Sequence, residues 1–208
     1  MPLDTVLQPD ANTKLLLWNI TEPLDQLHRG VVLRPQSQVR INGMASELHQ
    51  RGFLAVRQLL LSQGYQDSDL YYDAFGKPHL RDGRHISISH SHQRAAIGIS
   101  NRPLGIDLEL RRDKILRIAN RFNDNSKLSR HDTALYIREL TVVWGFKEAV
   151  FKIRNEKGIS FPQHIFVDPF SIHDGIATAQ LHFGGQVTAF PGYFYEVDSY
   201  TLVYVFTA

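Results

Sequence analysis

The stretch HISISHSHQRAAIGISNRPLGIDLEL, residues 85–110, decides the fold class. Apolar residues alternate with polar or small ones at 86–89, 94–100 and 105–110, which predicts a short strand at each place. Residues 101–103, Asn-Arg-Pro, favour a turn between the last two strands. Because these strands follow one another without an intervening helix, and helical patterns lie on either side, the sequence predicts an α+β fold and not strict βα alternation.

Three segments outside this stretch have the apolar spacing that is typical of helices. The first covers residues 45–63, where Gly64 provides a stop. The second is a short amphipathic segment at 113–122 that begins at Asp113. The third, at 131–154, is the longest and contains no proline. We therefore expect a long helix on each side of the central strands.

Strand signals also occur towards both ends of the sequence. Residues 14–20 predict an early buried strand, and the segment from Ile159 onward is rich in β-branched and aromatic residues, which favours a strand meander. Turns within that meander are expected at 184–185 (Gly-Gly) and at 191–192 (Pro-Gly). Residues 73–80, with their glycine and proline, are expected to form a turn before the central strands.

The composition is that of an ordinary globular protein. The chain has 208 residues, of which 43% are apolar and 21% charged, and its net charge is +2. This small excess argues against a general nucleic-acid binder, and the absence of cysteine excludes disulfides, thiolate nucleophiles and cysteine-ligated metals. The first residues lack the apolar core of a signal peptide, and the apolar runs are too short to span a bilayer. We therefore expect a cytoplasmic protein without a membrane segment.

Two acidic residues stand out on a predicted strand. In GIDLEL, Asp107 and Glu109 are two residues apart, so their side chains point to one face of the strand and the apolar residues to the other. Two adjacent carboxylates repel each other and need a cation between them or a shifted pKa. Their oxygen atoms suit Mg²⁺ or Mn²⁺ better than zinc. Taken alone, the pair also fits a solvent-facing strand with charged outer positions.

A second charged group lies on the longest predicted helix. In WGFKEAVFK, Trp144, Glu148 and Lys152 follow one another at helical spacing and share one stripe, with Lys147 one residue off it. Glu148 and Lys152 have two interpretations: a simple surface ion pair, or a third metal ligand or general base with a cation for a phosphate. Together with the two strand acids, they describe a site for a metal-chelated polyphosphate.

Three histidines, His85, His90 and His92, lie close together in the sequence and raise a different hypothesis, a zinc hydrolase. Such a site needs three ligands that converge on one ion. His85 has the opposite strand parity to the other two, so a regular strand cannot bring the three together.

Six motifs follow one another along the chain: RGFLAVR (51–57), GKP (76–78), ISISHS (86–91), GIDLE (105–109), RDKILRIANRF (112–122) and WGFKEAVFK (144–152). This series resembles the surfactin-type branch of the 4′-phosphopantetheinyl transferases. GIDLE and WGFKEAVFK are the most specific part of the resemblance, which runs from about Arg51 to Gly158.

That family moves the phosphopantetheine arm of coenzyme A onto a serine of a carrier protein and releases 3′,5′-ADP. The resemblance implies that Asp107, Glu109 and Glu148 hold Mg²⁺, for which Mn²⁺ is a possible substitute. It also implies that Glu148 activates the serine hydroxyl and that Lys152 balances charge on the pyrophosphate or leaving group. Glu148, Lys152 and Asp107 are thus the implied catalytic residues.

The resemblance further implies a set of coenzyme A contacts: Arg51, Arg57, Lys77, Ser89, His90 and Lys152. One position departs from the family, because His92 stands where a small residue, often glycine, follows the SHS motif. A bulkier side chain there is expected to narrow the site or to add a contact. It leaves every implied metal ligand in place.

The implied architecture is two similar α+β lobes related by a pseudo-twofold axis, at about 1–103 and 104–208, with coenzyme A in the cleft of a monomer. The implied partner is an apo acyl or peptidyl carrier protein. The basic residues within 111–121 form either a surface for that partner or a merely solvated helix face. The alternative function is a catalytically degenerate module that binds coenzyme A or a carrier without transfer.

Overall fold

The computed structural model describes residues 3–122 and 128–208. Helices and antiparallel sheets occur together without strict alternation, so the predicted α+β class is confirmed. The chain divides into two compact units, one ending at Arg102 and the other beginning at Pro103. Each unit has its own buried apolar core.

The first unit is a sheet with helices packed on it. Its elements are β1 (Leu3–Asp10), β2 (Thr13–Asn19), α1 (Leu24–Leu27), α2 (Pro35–Asn42), α3 (Glu47–Ser62), a 3₁₀ turn (Asp67–Asp69), β3 (Leu70–Tyr72), β4 (Pro78–Leu80), β5 (His85–Ser91) and β6 (Arg94–Ser100). Strands β1, β2, β6 and β5 form an antiparallel sheet in that order, and β3 pairs with β4. Helix α3 contacts β2 and β6, and Leu16, Leu54 and Ile97 are fully buried in the shared core.

The second unit is a sheet with one long helix across it. Its elements are β7 (Leu104–Leu110), α4 (Lys114–Ile118), a 3₁₀ turn (Ala119–Arg121), α5 (Thr133–Arg154), α6 (Phe161–His164), β8 (Ile165–Val167), β9 (Ile176–Phe183), β10 (Gln186–Val197) and β11 (Tyr200–Phe206). The sheet has the antiparallel order β7, β11, β10, β9, β8. Strand β7 therefore lies at an edge, beside a strand from the far end of the chain.

Helix α5 is defined at both ends by local chemistry. Its N-cap residue Asp132 accepts a hydrogen bond from the backbone N–H of Leu135 at 3.0 Å. It ends at Asn155, which takes the left-handed conformation with φ 49°. The helix buries Phe146, Ala149 and Val150 against the sheet. Within 3–122 and 128–208, no helix combines the length and the apolar character that a membrane crossing requires.

The two units share an order of elements. In the first, strand β2 is followed by the long helix α3 and later by the hairpin β5–β6, whose last strand pairs with β2. In the second, strand β7 is followed by the long helix α5 and later by the hairpin β10–β11, whose last strand pairs with β7. Both units therefore contain a strand, a long helix and a hairpin that returns beside the first strand.

The strand meander differs from its prediction at one turn. The turn at 184–185 is confirmed, and both glycines have positive φ. The turn predicted at 191–192 is wrong, because both residues lie inside β10 and pair with β9. The reason for Gly192 is space: a Cβ there would come within 2.6 Å of the side chains of Phe146 and Val205.

Candidate active site

The two strand acids differ in burial. Asp107 is 4% exposed, and Glu109 is half-buried. Asp107 lies on the face of β7 that α5 covers: a Cβ built on Gly145 of α5 would be 3.8 Å from Asp107 Oδ2. The interpretation of this pair as charges on a solvent-facing strand therefore does not apply to Asp107, because this carboxylate lies beneath the long helix.

Close contact between β7 and α5 depends on glycine. A Cβ on Gly105 would lie 1.9 Å from the carbonyl oxygen of Ala149, which is far inside van der Waals contact. A Cβ on Gly145 would lie 2.5 Å from Cγ2 of Val203 on β11. These glycines let the helix backbone approach the strands, and they bring the residues of α5 next to those of β7.

Lys152 joins the helix to the strand. Its Nζ donates to Oδ1 of Asp107 and to the carbonyl oxygen of Ile106, both at 2.9 Å. The Lys152 side chain is 27% exposed, and that of Asp107 is 5% exposed. The ammonium group therefore neutralises a buried carboxylate and keeps one side open to solvent. A surface pair between Glu148 and Lys152 was the other interpretation; in the structure the Lys152 ammonium pairs with Asp107.

Glu148 has the most perturbed pKa of the described acids near this site. Its pKa is raised from 4.5 to about 7, first by burial, then by the negative charge of Asp107 and, least, by that of Glu109, while Lys152 lowers it. Burial and like charges disfavour the ionised form of a carboxyl group. Asp107, Glu109 and Lys152 are therefore close enough to Glu148 to affect its pKa.

The chemistry of these side chains fits a magnesium ion. In the described ranges, no three or more His, Cys, Asp or Glu side chains are arranged to hold a metal by themselves. Mg²⁺ normally takes one or two protein carboxylates and completes its shell with water and phosphate oxygens, so an all-oxygen donor set suits it. The raised pKa of Glu148 agrees, since a divalent cation would relieve the repulsion that contributes to it.

Two residues of the WGFKEAVFK motif serve the core of the unit. Trp144 packs edge-on against Phe122, with ring centroids 5.1 Å apart, and against Phe161. Lys147 is 3% exposed and donates to the carbonyl oxygens of Phe161 and Ile165. The ammonium of Lys147 therefore ties α5 to the α6–β8 segment. A buried lysine was not distinguishable from a solvated one in the sequence.

In the first unit, His90 lines a cavity of about 320 Å³. The other lining residues include both polar and apolar side chains: Arg40, Met44, His49, Gly52, Phe53, Val56, Arg57, Tyr72 and Ile88. Ser89, the neighbour of His90 on β5, is 7% exposed. The cavity has two arginines and two histidines on apolar walls, which is a chemistry suited to an anionic ligand with an apolar part.

Gly52, Arg40, His49 and Tyr72 were missed by the sequence analysis. Gly52 lies inside α3, where a Cβ would be 2.9 Å from Cδ2 of His90. A glycine inside a helix is unfavourable, and that anomaly was the available signal. The other three belong to no motif, and only the fold brings them to the cavity.

The two arginines of the RGFLAVR motif are both engaged within the first unit. Arg51 is half-buried and donates from Nη2 to the carbonyl oxygen of Ile20 at 2.9 Å. Arg57 is 3% exposed, and its Nε pairs with Asp67 Oδ1 at 3.0 Å. The guanidinium of Arg57 also lies 3.4 Å above the Phe53 ring. Arg57 thus has a clear packing role, whereas Arg51 lies nearer the surface.

Lys77 lies at the end of a turn whose shape is fixed by Asp73. Oδ1 of Asp73 accepts hydrogen bonds from the backbone N–H groups of Phe75 and Lys77, each at 2.9 Å. The bond from Lys77, together with a bond from His79, lowers the pKa of Asp73. Gly76 has φ 81°, so the predicted turn is confirmed. The turn holds the backbone of Lys77 in place, and its side chain is half-buried.

The three clustered histidines have separate surroundings. His85 and His90 are five residues apart on β5, a distance of roughly 16 Å along a strand. His92 lies on the two-residue turn between β5 and β6, and its φ of 52° is in the left-handed region. This backbone conformation explains why glycine is favourable at that position: the requirement comes from the turn.

The chain matches no protein-family model. Among curated proteins it is similar to the 4′-phosphopantetheinyl transferase Sfp of Bacillus subtilis (strain 168), with 31% identity over 145 residues. The alignment covers 66% of this chain and 59% of Sfp, so the chain spans less than two thirds of that relative's length. Motif order, the α+β fold and this similarity together support assignment of the chain to the Sfp-like family of 4′-phosphopantetheinyl transferases.

Proposed function

We propose that the protein transfers the 4′-phosphopantetheine arm of coenzyme A to a serine of an apo carrier protein and releases 3′,5′-ADP. The observation that carries the proposal is the interaction of four charged groups in the second unit. Glu148 experiences the charges of Asp107, Glu109 and Lys152, and Lys152 contacts Asp107 directly. The similarity to Sfp supports the same activity.

The transfer forms a bond between the serine oxygen and phosphorus and breaks the pyrophosphate bond, whose electron pair leaves with 3′,5′-ADP. Glu148 accepts the serine proton as general base. Lys152 stabilises the negative charge that develops on the pyrophosphate. Mg²⁺, or Mn²⁺ in its place, would be held by Asp107, Glu109 and Glu148, in part through water, and would neutralise the pyrophosphate charge.

Residues of the first unit are proposed to bind the coenzyme. His90 and Ser89 contact its phosphates, and Lys77 and Arg51 add positive charge. The cavity beside His90 supports this assignment, because it combines cations with apolar walls. Arg57 lines the same cavity while paired with Asp67, so its contribution is to shape the wall.

The acceptor is proposed to be an apo acyl or peptidyl carrier protein. The basic surface around α4 supports an acidic partner: Arg112, Lys114, Arg117 and Arg121 are exposed, and Arg112 and Lys114 line a cavity together with Glu109. Arg111 is engaged within the unit, because it donates to Thr201 Oγ1 and pairs with Glu196.

The shared order of elements supports a further proposal, that the two units are the two related lobes of the family's pseudo-twofold architecture. The proposed working form is a cytoplasmic monomer. Gel filtration with light scattering of the pure protein checks the oligomeric state, and a dimer would contradict this part of the proposal.

The test is direct transfer. The protein is incubated with coenzyme A, Mg²⁺ and a panel of apo acyl and peptidyl carrier proteins, and mass spectrometry detects the added phosphopantetheine on the carrier serine. We expect transfer with at least one carrier, its loss with a chelator, and its recovery with Mg²⁺ or Mn²⁺. Coenzyme A binding without modification of any carrier would instead support the degenerate binding module.

Variants of the acids test the assigned roles. Asp107→Ala and Glu148→Gln are expected to reduce transfer at least about a hundredfold, because each removes a group that acts on the reacting phosphate or proton. Far-ultraviolet circular dichroism checks that the fold is intact. Full activity in either variant would contradict the roles given to these two residues.

A further inference from the structure

Gly52 occupies an unfavourable place for a glycine. It is the sixth residue of α3 and is buried. Its φ is not in the positive range that requires glycine. Glycine inside a helix costs stability because glycine loses more backbone freedom on folding than any other residue. The reason for Gly52 must therefore be the space that a side chain would fill.

The space belongs to the ring of one residue. A Cβ on Gly52 would lie 2.9 Å from Cδ2, 3.7 Å from Cγ and 3.8 Å from Nε2 of His90, and these are the three nearest atoms. A Cβ contact below 3.0 Å is not tolerated, so the imidazole would have to turn away. Because β5 fixes the backbone of His90, the ring itself would move.

His49 contacts the same ring from another side. It lies three residues before Gly52, on the same face of α3. The His49 and His90 rings are stacked, with centroids 6.3 Å apart and an angle of 21° between their planes. Both rings line the cavity that also contains Arg40. Helix α3 therefore contacts the His90 ring at two places: Gly52 leaves room for the ring, and the His49 ring stacks against it.

We propose that Gly52 and His49 are positioning residues that hold the His90 imidazole in the orientation in which it binds the coenzyme phosphates. This inference rests on the proposed function, which gives His90 that contact. Neither residue acts on the substrate itself. Their effect passes through the rotamer of His90, so it belongs to coenzyme binding and not to the transfer step.

The main test is Gly52→Ala. The variant is expected to raise KM for coenzyme A about tenfold, the effect of one lost charge-assisted hydrogen bond, while kcat changes less than about twofold. Its melting temperature is expected to stay the same or rise, because alanine is the better helix former. A merely structural glycine would instead lower the melting temperature and leave the KM of the folded protein unchanged.

Three further comparisons sharpen the test. In a His90→Ala background, Gly52→Ala is expected to cause no additional loss, because the residue through which it acts is gone. Gly43→Ala is the matched control in the same unit: its φ is not positive, and its Cβ would meet backbone oxygens at 3.5 and 3.6 Å, which is ordinary contact. It is expected to leave KM unchanged. His49→Ala removes the stacked ring and leaves Gly52 in place. It should also raise KM for coenzyme A, and only when His90 is present.

A spectroscopic readout separates this inference from the proposed function. The imidazole Cδ2–H resonance of His90, assigned with the His90→Ala variant, is expected to shift in Gly52→Ala and in His49→Ala but not in Gly43→Ala. An unchanged resonance in both variants, or an equal loss from Gly52→Ala with and without His90, would overturn the positioning role. If the wild-type protein bound no coenzyme A while the resonance still shifted, the function would fail and the positioning of the ring would stand.

Discussion

At the scale of single residues, Glu148 shows how folding changes the acidity of one carboxyl group. It is partly removed from water and lies near two other acids, and both effects favour the protonated form. Near pH 7 the group is therefore divided between its two protonation states. A bound divalent cation would shift this balance towards the ionised form.

The first prediction concerns stability and pH in metal-free buffer. The pKa of Glu148 is about 7 in the folded protein and 4.5 as the ordinary value. Between these two values the folded state keeps a proton that the unfolded state has lost, so this residue lowers stability as pH rises through that window. Glu148→Gln removes this effect. As the pH rises from 4.5 to 8, the free energy of unfolding of the variant should increase by up to about 3 kcal/mol relative to that of the wild type.

Urea denaturation with a chelator at several pH values measures this difference. Titrating groups far from Glu148 contribute equally to both proteins, so the comparison isolates Glu148 together with its charged neighbours Asp107, Glu109 and Lys152. The same pH dependence in wild type and variant would show that Glu148 is not held in a proton-retaining environment.

The second residue-scale prediction concerns His92. A non-glycine residue with φ 52° carries a steric cost of about 1–2 kcal/mol, which is partly offset by the greater flexibility that glycine gives the unfolded chain. His92→Gly is therefore expected to stabilise the first unit by about 0.5–1 kcal/mol. Thermal unfolding measures the gain, and His92→Ala, which keeps the strain, is the control. A loss of stability in the glycine variant would mean that the His92 side chain contributes more than its backbone strain costs.

At the scale of elements, the site depends on how closely α5 lies on β7. Gly105 is the contact that sets this distance, because a Cβ there would be 1.9 Å from the Ala149 carbonyl oxygen. A backbone atom cannot rotate away as a side chain can. Any larger residue must separate the helix from the strand and so separate Glu148 from Asp107.

The third prediction follows from this contact. Gly105→Ala is expected to cost about 3 kcal/mol or more, the upper part of the range for overpacking, because the obstacle is backbone. Chemical denaturation measures the loss. Gly43→Ala is the control, because it introduces the same methyl group at ordinary van der Waals distance from its neighbours. A near-neutral effect of Gly105→Ala would show that α5 can shift without loss and does not depend on this glycine.

The elements also show what the sequence could and could not predict. The helices at 45–63 and 131–154 and the strands of 85–110 had clear periodicity, and the structure confirms them. The helix predicted at 113–122 is shorter, with a 3₁₀ turn after α4. Proline and glycine at 191–192 predicted a turn, but both residues lie inside β10. The glycine is there because the Phe146 side chain leaves no space for a Cβ.

The candidate site was predictable to a similar degree. Residues in one strand or helix, such as Asp107 and Glu109, share a face because of a fixed period, so their grouping was visible in the sequence. The pairing of Lys152 with Asp107 depends on the approach of a helix to a strand. The packing of His90 on Gly52 likewise joins a strand to a helix. Contacts between distant segments have no such period, which is why both were missed.

At the scale of the whole molecule, the two units use corresponding positions differently. Counted from the first pair of each ladder, the fourth pair is Leu16–Ile97 in the first unit and Asp107–Val203 in the second. Leu16 and Ile97 are fully buried in the core beneath α3. The second unit therefore has a carboxylate at the position where the first has an apolar side chain.

The fourth prediction follows from this correspondence. Asp107→Val should be at least as stable as wild type, and more stable by up to about 2 kcal/mol, because an apolar residue replaces a buried charge and Lys152 can turn to solvent. Transfer activity should be lost. Guanidinium denaturation measures stability, and Asp107→Asn, which keeps a buried polar group, should be less stable than the valine variant. A valine variant that is clearly less stable than wild type would show that Asp107 is a structural requirement.

The pairing of β7 with β11 also has a kinetic consequence. Asp107 pairs across the ladder with Val203, a residue about a hundred positions later in the chain. Such distant pairings form slowly because a long loop must close first. During synthesis, a chain that has reached Arg154 already contains Asp107, Glu109 and Glu148, yet it lacks the strand that aligns Asp107. The charged site therefore forms only after β11 has been synthesised and has paired with β7, which makes it one of the last parts of the molecule to be completed.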